Sequence, residues 1–226
     1  MLGKIAARRL ADSAAFALVM AGACSLGGCK VLTIDEDRAL RARHSANFDA
    51  AQYVDAIWAS RVMPAIKGKA TPVPTLIAAM QGGLDKAGAA LGRRAGEGSA
   101  WTFVLRGEGV VTKVDDTAPR GGVDVALWGD AAHRAIRLQT GPVVSGSAIR
   151  DALPFVTFND FADQLAFADV GRALTARSLS ELKPVLGGLR PGSRIRFVGV
   201  ANIGEAADPL VATPVSIASD AVSAGS

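Results

Sequence analysis

The chain has 226 residues, half of them apolar and a fifth charged, which is enough to bury a core and excludes a disordered tail. Its formal charge is +4, and with Lys4, Arg8, Arg9 and Asp12 set aside the 25 basic and 21 acidic residues become 22 and 20, a net of +2. Basic residues spread along the chain in that balance exclude the concentrated positive surface that nucleic-acid binding uses.

Lys4, Arg8 and Arg9 precede an uninterrupted apolar run from Ala14 to Cys24. Crossing a bilayer takes about 20 apolar residues, so this run is too short to span and has the length of a signal-peptide core. Leu26, Gly27, Gly28 and Cys29 follow. They resemble the bacterial lipoprotein signal, in which a leucine and two small residues precede the cysteine that takes the lipid. Small residues let extended backbone enter the peptidase beside a modified sulfur, whereas Cys24 fits less well because Ala21 stands where the leucine belongs. A leader over 1–28, lipidation at Cys29 and a lipidated tether over 29–47 are therefore expected. The mature chain then holds no second cysteine, so neither a disulfide nor a cysteine nucleophile is available. Several acyl chains hold firmly where one binds only marginally, which puts the folded part on the periplasmic side of a bacterial membrane. Lys30, not Asp, follows the cysteine, a pattern that permits the outer membrane.

In "NFDAAQYVDAIWASRVMPAI", Asp49 and Gln52 form a capping-box-like pair, and Phe48 and Tyr53 stand where a hydrophobic staple would. Ala51, Val54, Trp58 and Val62 recur at helical spacing, and Pro64 should end or kink the helix. A second helix is expected from Pro74 to Leu91, with Leu76, Ile77, Met80, Leu84, Ala87 and Leu91 on one side and Gly82 and Gly83 weakening it. Together they make a helical segment over 48–96.

"RRAGEGS", from Arg93, marks the change to strand pattern. Trp101 to Leu105 and Val110 to Val114 are β-prone, with Gly107 and Gly109 between them allowing sharp coiling. Further strands are expected over Val123 to Trp128 and Ala135 to Thr140, where Ile136, Leu138 and Thr140 alternate with Arg137 and Gln139. "TFNDFADQLAFADV" returns to helical spacing, with Thr157 and Asp160 as a capping pair and Phe158, Phe161, Leu165 and Ala168 on one face. A short helical piece from Ser178 precedes strands over Arg194 to Val200 and Leu210 to Ile217. Three strands, a helix and two strands is the order of a five-stranded OB-like β-barrel, with the helix between the third and fourth strands. The expected fold class is thus α+β, with the barrel over 97–218 and a flexible tail over 219–226.

"IDEDR" (Ile34 to Arg38), "FDAAQYVDAIWASRVMP", "LQTGPVVSGSAIRDALPFVTFNDFADQLAFADV" (Leu138 to Val170) and "ATPVSI" (Ala212 to Ile217) resemble the predicted periplasmic lipoproteins of the DUF2291 family. That family has no assigned function, and its members often accompany sugar-type ABC transporters. The resemblance therefore implies ABC transporter components or a solute-binding protein as partners, in addition to the membrane reached through the lipid. The chain departs from the family at Asp163, where Asn is commoner.

Candidate chemistry is sparse. His44 and His133 are the two histidines, and they stand too far apart in sequence to suggest a metal cluster or a triad. Asp35, Glu36 and Asp37 lack the alternating ligands and glycine of a calcium loop. "GPVVSGSAIRDA" is the suggestive stretch: Gly141 and Gly146 permit tight backbone geometry, Ser145 and Ser147 offer hydroxyls, and Arg150 offers a planar fork suited to a carboxylate or phosphate. Asp151 can instead neutralise Arg150 and make the stretch a structural turn. No catalytic residue, metal or cofactor is expected, nor is a nucleic-acid partner. The expected function is a lipid-anchored, non-catalytic periplasmic binding or accessory protein, with a structural or assembly protein of the envelope as the alternative.

Overall fold

The computed structural model describes residues 48–128, 135–144 and 146–220. The leader, the tether with Cys29 and His44, as well as His133 and Ser145, lie outside the described residues.

The first helix, α1 (Ala50–Ile57), starts where its sequence demands. The Asp49 carboxylate accepts the backbone N–H groups of Ala51 at 2.9 Å and Gln52 at 3.1 Å, and the Phe48 and Tyr53 rings meet at 5.9 Å. Pro64 does not end the helical run as expected. A π-helical turn, Trp58–Val62, intervenes, in which the Met63 N–H reaches back to the Trp58 carbonyl. The wider turn shifts the hydrogen-bond ladder just before the residue that lacks a donor, and Pro64 then enters the first turn of α2 (Met63–Gly68). The expected helix from Pro74 to Leu91 is two helices, α3 (Val73–Gln81) and α4 (Leu84–Leu91). Gly83 adopts φ +109°, a left-handed conformation that stops one helix and aims the next.

β3 (Trp101–Asp115) is one continuous 15-residue strand joining both β-prone runs. It pairs with β6 (Arg194–Ile203) from Trp101 opposite Ile203 to Val110 opposite Arg194, and with β4 (Gly122–Leu127) beyond Gly109. β4 pairs antiparallel with β5 (Ala135–Gln139), β5 pairs parallel with β7 (Val211–Asp220), and β7 pairs antiparallel with β6. The pairings thus return to β3 after five strands. Two further strands, β1 (Thr71–Pro72) and β2 (Arg93–Arg94), each two residues long, attach to β3.

Alternation along β3 and β6 feeds two apolar cores. Phe103, Leu105, Ile195, Phe197 and Ala201 point into the ring with Val125, Ile136, Leu138 and Ala212. Val104, Val200 and Val215 point outward and are covered by Val54, Trp58, Val62, Ile149, Leu153, Val170 and Leu174. Each such side chain contributes about 1.5–3 kcal/mol on burial, so the helices stabilise the outside of the strands as the inner core stabilises the inside.

The long helix α6 (Gln164–Leu186) serves both cores: Val170 and Leu174 pack outside the ring, while Leu182 joins the inner cluster. Its buried Ser178 hydroxyl donates to the Pro214 carbonyl at 2.6 Å, fastening it to β7. The expected capping pair exists, but Thr157 and Asp160 close only a 3₁₀ turn, Phe158–Asp160. Phe161 is extended, and Asp163 caps the real helix by accepting the Ala166 N–H at 2.8 Å. That break resets the phase, leaving Phe158 and Leu165 exposed instead of on a buried face. The piece expected from Ser178 is part of the same helix, which continues through Pro184. Counting the two-residue β1 and β2, α6 falls between the fifth and sixth strands in chain order; among the five strands of the ring it lies between the third and fourth.

Candidate functional site

Arg150 and Ser147 come together at a corner built by α5 (Ala148–Asp151). The Arg150 fork donates from Nε to Asp151 Oδ1 at 3.0 Å, and from Nη2 to Asp151 Oδ1 at 2.8 Å and Ser147 Oγ at 2.7 Å. Nη1 donates to the Phe167 carbonyl at 3.3 Å, and the guanidinium carbon lies 3.9 Å from the centroid of the Phe167 ring. Ser147 in turn donates to Asp151 Oδ2 at 2.8 Å. Asn202 approaches the same oxygen at 3.5 Å and accepts from Thr102 at 2.8 Å, while Arg93 donates to the Asp151 carbonyl at 2.9 Å. The network draws β2, β3, β6, α5 and α6 to one point, and both charged side chains are largely buried, 15% and 12% exposed. An arginine has five donors, and this one directs four of its donor contacts inward.

Gly141 stands apart from that network. Its N–H donates to the Gly121 carbonyl at 2.9 Å, and a Cβ there would meet Gly121 N at 2.4 Å and the Pro119 carbonyl at 2.7 Å. It is a close-approach glycine that lets the loop after β5 lie on the loop after β3. The hollow beside the corner, about 420 Å³, is lined by Gly146, Ala148, Val200 and Asn202, not by Gly141, Ser147 or Arg150.

A different groove, about 590 Å³, lies on the outer face of β3, β6 and β7 beyond the edge of the helices. Most of its residues come from two neighbouring cross-strand rows. The Trp128 N–H donates to the Glu108 carbonyl at 2.9 Å, Glu108 opposes Arg196, and Arg196 opposes Ala218. The next row sets Pro72, Arg106, Val198 and Ser216 side by side. Trp128 is 46% exposed, with the Arg194 guanidinium 5.9 Å from its ring centroid. Arg196 reaches Asp220 at 3.5 Å. The Arg106 and Glu108 side chains have no hydrogen-bond or ion-pair partner among the described residues. Sequence reading missed this site. Its signal is the alternation in "RGEG" and "RIRF", which puts Arg106, Glu108, Arg194 and Arg196 on the outer face, but only the strand register shows that they adjoin Trp128.

Shifted titrations belong to structural contacts. The Trp101 indole N–H, at 2.8 Å, and Arg94 hold the Asp85 carboxyl below its ordinary range. The Thr157 backbone and hydroxyl do the same for Asp160, and burial raises the Tyr53 phenol. Among the described residues, no group of three or more His, Cys, Asp or Glu is placed to hold a metal ion.

Residues 19–218 match the family described as predicted periplasmic lipoprotein, DUF2291. The chain belongs to the DUF2291 family. This DUF2291 chain is accordingly a lipid-anchored protein of the periplasmic side, and no helix among the described residues is long and apolar enough to cross a membrane. It is similar in structure to an OB-fold protein from Thermotoga maritima, with a TM-score of 0.63 and 17% identity over 77% of this chain and 99% of that one. At that identity the likeness concerns the fold alone, a mixed α+β arrangement of OB type. No curated protein matches the DUF2291 chain.

Proposed function

We propose that this DUF2291 lipoprotein is a non-catalytic binding or accessory module, anchored through Cys29 and serving a sugar-type ABC uptake system in the periplasm. In this reading the ring of five strands is a closed barrel whose outer face carries the contact site. The observation that supports it is the groove beside Trp128: an exposed aromatic ring stands next to a guanidinium and a carboxylate, Arg106 and Glu108, that no described residue engages. Polar groups left uncommitted around an exposed aromatic are what recognition of a ligand or partner requires. The corner at Arg150 makes the opposite use of the same side-chain chemistry and acts as a structural joint.

The test is affinity purification of the full lipoprotein from membranes, wild type beside Trp128→Ala. A transporter subunit or solute-binding protein held by the wild type and lost from the variant is the expected result. Recovery of envelope-assembly components instead would establish the alternative role, a structural protein of the envelope. The anchor has its own check: Cys29→Ser abolishes labelling by a radioactive fatty acid, whereas Cys24→Ser leaves it intact.

A further inference from the structure

We infer that the Trp128 groove binds a small, hydroxylated ring compound carrying one carboxylate, a proposal that rests on the binding role above and names its ligand class. Three features of the groove define that class.

The first is the backbone. β3 is bonded to β1 and β6 at Arg106, and to β6 and the Trp128 N–H at Glu108. β6 lies between β3 and β7 along the same rows. Paired on both sides along these rows, β3 and β6 cannot accept an added peptide strand, so side chains must make the recognition there.

The second feature is the exposed indole. Its flat apolar surface, 46% exposed and approached by Arg194, suits a ligand with a flat face of its own, whether an aromatic ring or the C–H face of a pyranose. Ala218 and Ser216 are the small residues on the far side of the rows. They leave the groove wide enough for a six-membered ring, within the size range of small-molecule sites.

The third feature is charge. Arg106 presents an uncommitted planar fork, the geometry that pairs bidentately with a carboxylate or phosphate. Arg196 lies one row away but is turned toward Asp220, at 3.5 Å. Glu108, uncommitted on the same strand, repels a doubly charged phosphate more than a singly charged carboxylate. It also supplies acceptors for ligand hydroxyls. One carboxylate on Arg106, a ring face on Trp128 and a hydroxyl on Glu108 use each of the three groups once.

Sugar acids and hydroxylated aromatic acids share this chemistry, and the experiment separates them. The full-length lipoprotein, in a polyoxyethylene detergent that carries no sugar, is titrated calorimetrically with galacturonate, 4-hydroxybenzoate, galactose and inorganic phosphate. At least one of the two acids should bind, about tenfold or more tighter than galactose and phosphate, as one charge-assisted hydrogen-bond pair provides. Galacturonate alone would mark a sugar acid, 4-hydroxybenzoate alone an aromatic one, and binding of both the shared chemistry. Arg106→Gln should weaken the acid about tenfold, and Trp128→Ala should abolish its heat. Arg106→Gln should retain the wild-type melting temperature because its side chain is exposed, and Trp128→Ala should lower it only slightly, through loss of the contact with Arg194. Galactose binding as tightly as galacturonate, or acid binding indifferent to Arg106→Gln, overturns the carboxylate assignment and leaves a binding role in place. Absence of heat from every probe at millimolar concentration overturns the ligand class. The binding role itself fails only if the membrane purification also returns no partner dependent on Trp128.

Discussion

Two arginine-centred regions of this molecule use the same chemical vocabulary to opposite ends. At the α5 corner, Arg150 meets a carboxylate, a hydroxyl, a backbone carbonyl and an aromatic face, and all of them come from its own chain. In the outer groove, Arg106 has a carboxylate, a hydroxyl and an aromatic face nearby in Glu108, Ser216 and Trp128, yet its side chain bonds to none of the described residues. The difference is burial. A guanidinium that is 15% exposed must be satisfied internally or it destabilises the fold, whereas an exposed one is satisfied by water until something replaces the water. Arginine in a glycine-rich turn is therefore ambiguous in sequence, and its surroundings decide whether it joins the protein together or waits for a ligand.

The largest effect belongs to the corner. Arg150→Ala leaves the Asp151 carboxylate in its largely buried place without the opposing charge, and should cost about 3 kcal/mol, as breaking a buried pair does. Arg150→Lys keeps the charge but cannot reproduce the fork that reaches Asp151, Ser147 and Phe167 together, so it should recover only part of that loss. Urea denaturation of both variants measures this. A loss below about 1 kcal/mol for Arg150→Ala would place the pair with exposed ion pairs and erase the contrast between the regions.

Gly141 tests whether the rest of the suggestive stretch is also structural. A Cβ there meets Gly121 N at 2.4 Å and the Pro119 carbonyl at 2.7 Å, both backbone atoms that cannot swing aside. Gly141→Ala should therefore destabilise by about 2 kcal/mol, within the range for overpacking. A neutral result would mean that the loops after β3 and β5 separate freely, and would return Gly141 to the list of ligand contacts.

Much of the fold was legible because local rules and tertiary packing agreed. Asp49 before an apolar periodicity announced α1, and the alternation of Ile136, Leu138 and Thr140 announced β5. Three strands, a helix and two strands indicated the OB-type order. Errors arose where the local signal was duplicated or overruled. Thr157 with Asp160 and Asp163 with Ala166 both look like helix starts, and only packing of Val170 and Leu174 against the outer core selects the second. The π turn at Trp58–Val62 has no local code, since it is the outer core holding Trp58 and Val62 that keeps the chain helical past Pro64. The candidate site suffered most. "GPVVSGSAIRDA" gathers conspicuous residues within a few positions, while the groove gathers its own from positions 72 to 218, and only strand register brings those together.

Acid sharpens the comparison by separating carboxylates committed to structure from those that are not. Asp85 and Asp160 are held below their ordinary range by hydrogen bonds, Asp85 chiefly from the Trp101 indole and Asp160 from Thr157. A depressed folded pKa contributes stability above the unfolded value, about 3.9, and that contribution disappears as pH falls through the folded value. The double variant Asp85→Asn, Asp160→Asn should therefore lose less stability than the wild type as pH is lowered from about 4. Both groups are exposed, so the flattening is small. Thermal melts across that range read it, and identical acid limbs would show that these hydrogen bonds do not distinguish the folded state.

The smallest stability effect is expected in the groove, and its smallness is what makes it informative. Arg106, Glu108 and Trp128 lie on an outer face where no described side chain depends on the first two, so Arg106→Gln and Glu108→Gln should each change stability by no more than about 0.5 kcal/mol. Trp128→Phe keeps an aromatic face and should do the same, whereas Trp128→Ala also removes the contact with Arg194, a loss of about 0.5–1 kcal/mol at an exposed site. Surface side chains that cost little to remove, yet whose removal releases a membrane partner or a bound acid, are serving recognition and not the fold. If Arg106→Gln instead unfolds the protein as Arg150→Ala does, the two regions are the same kind of structure, and the groove is a joint whose partners remain to be found within the chain.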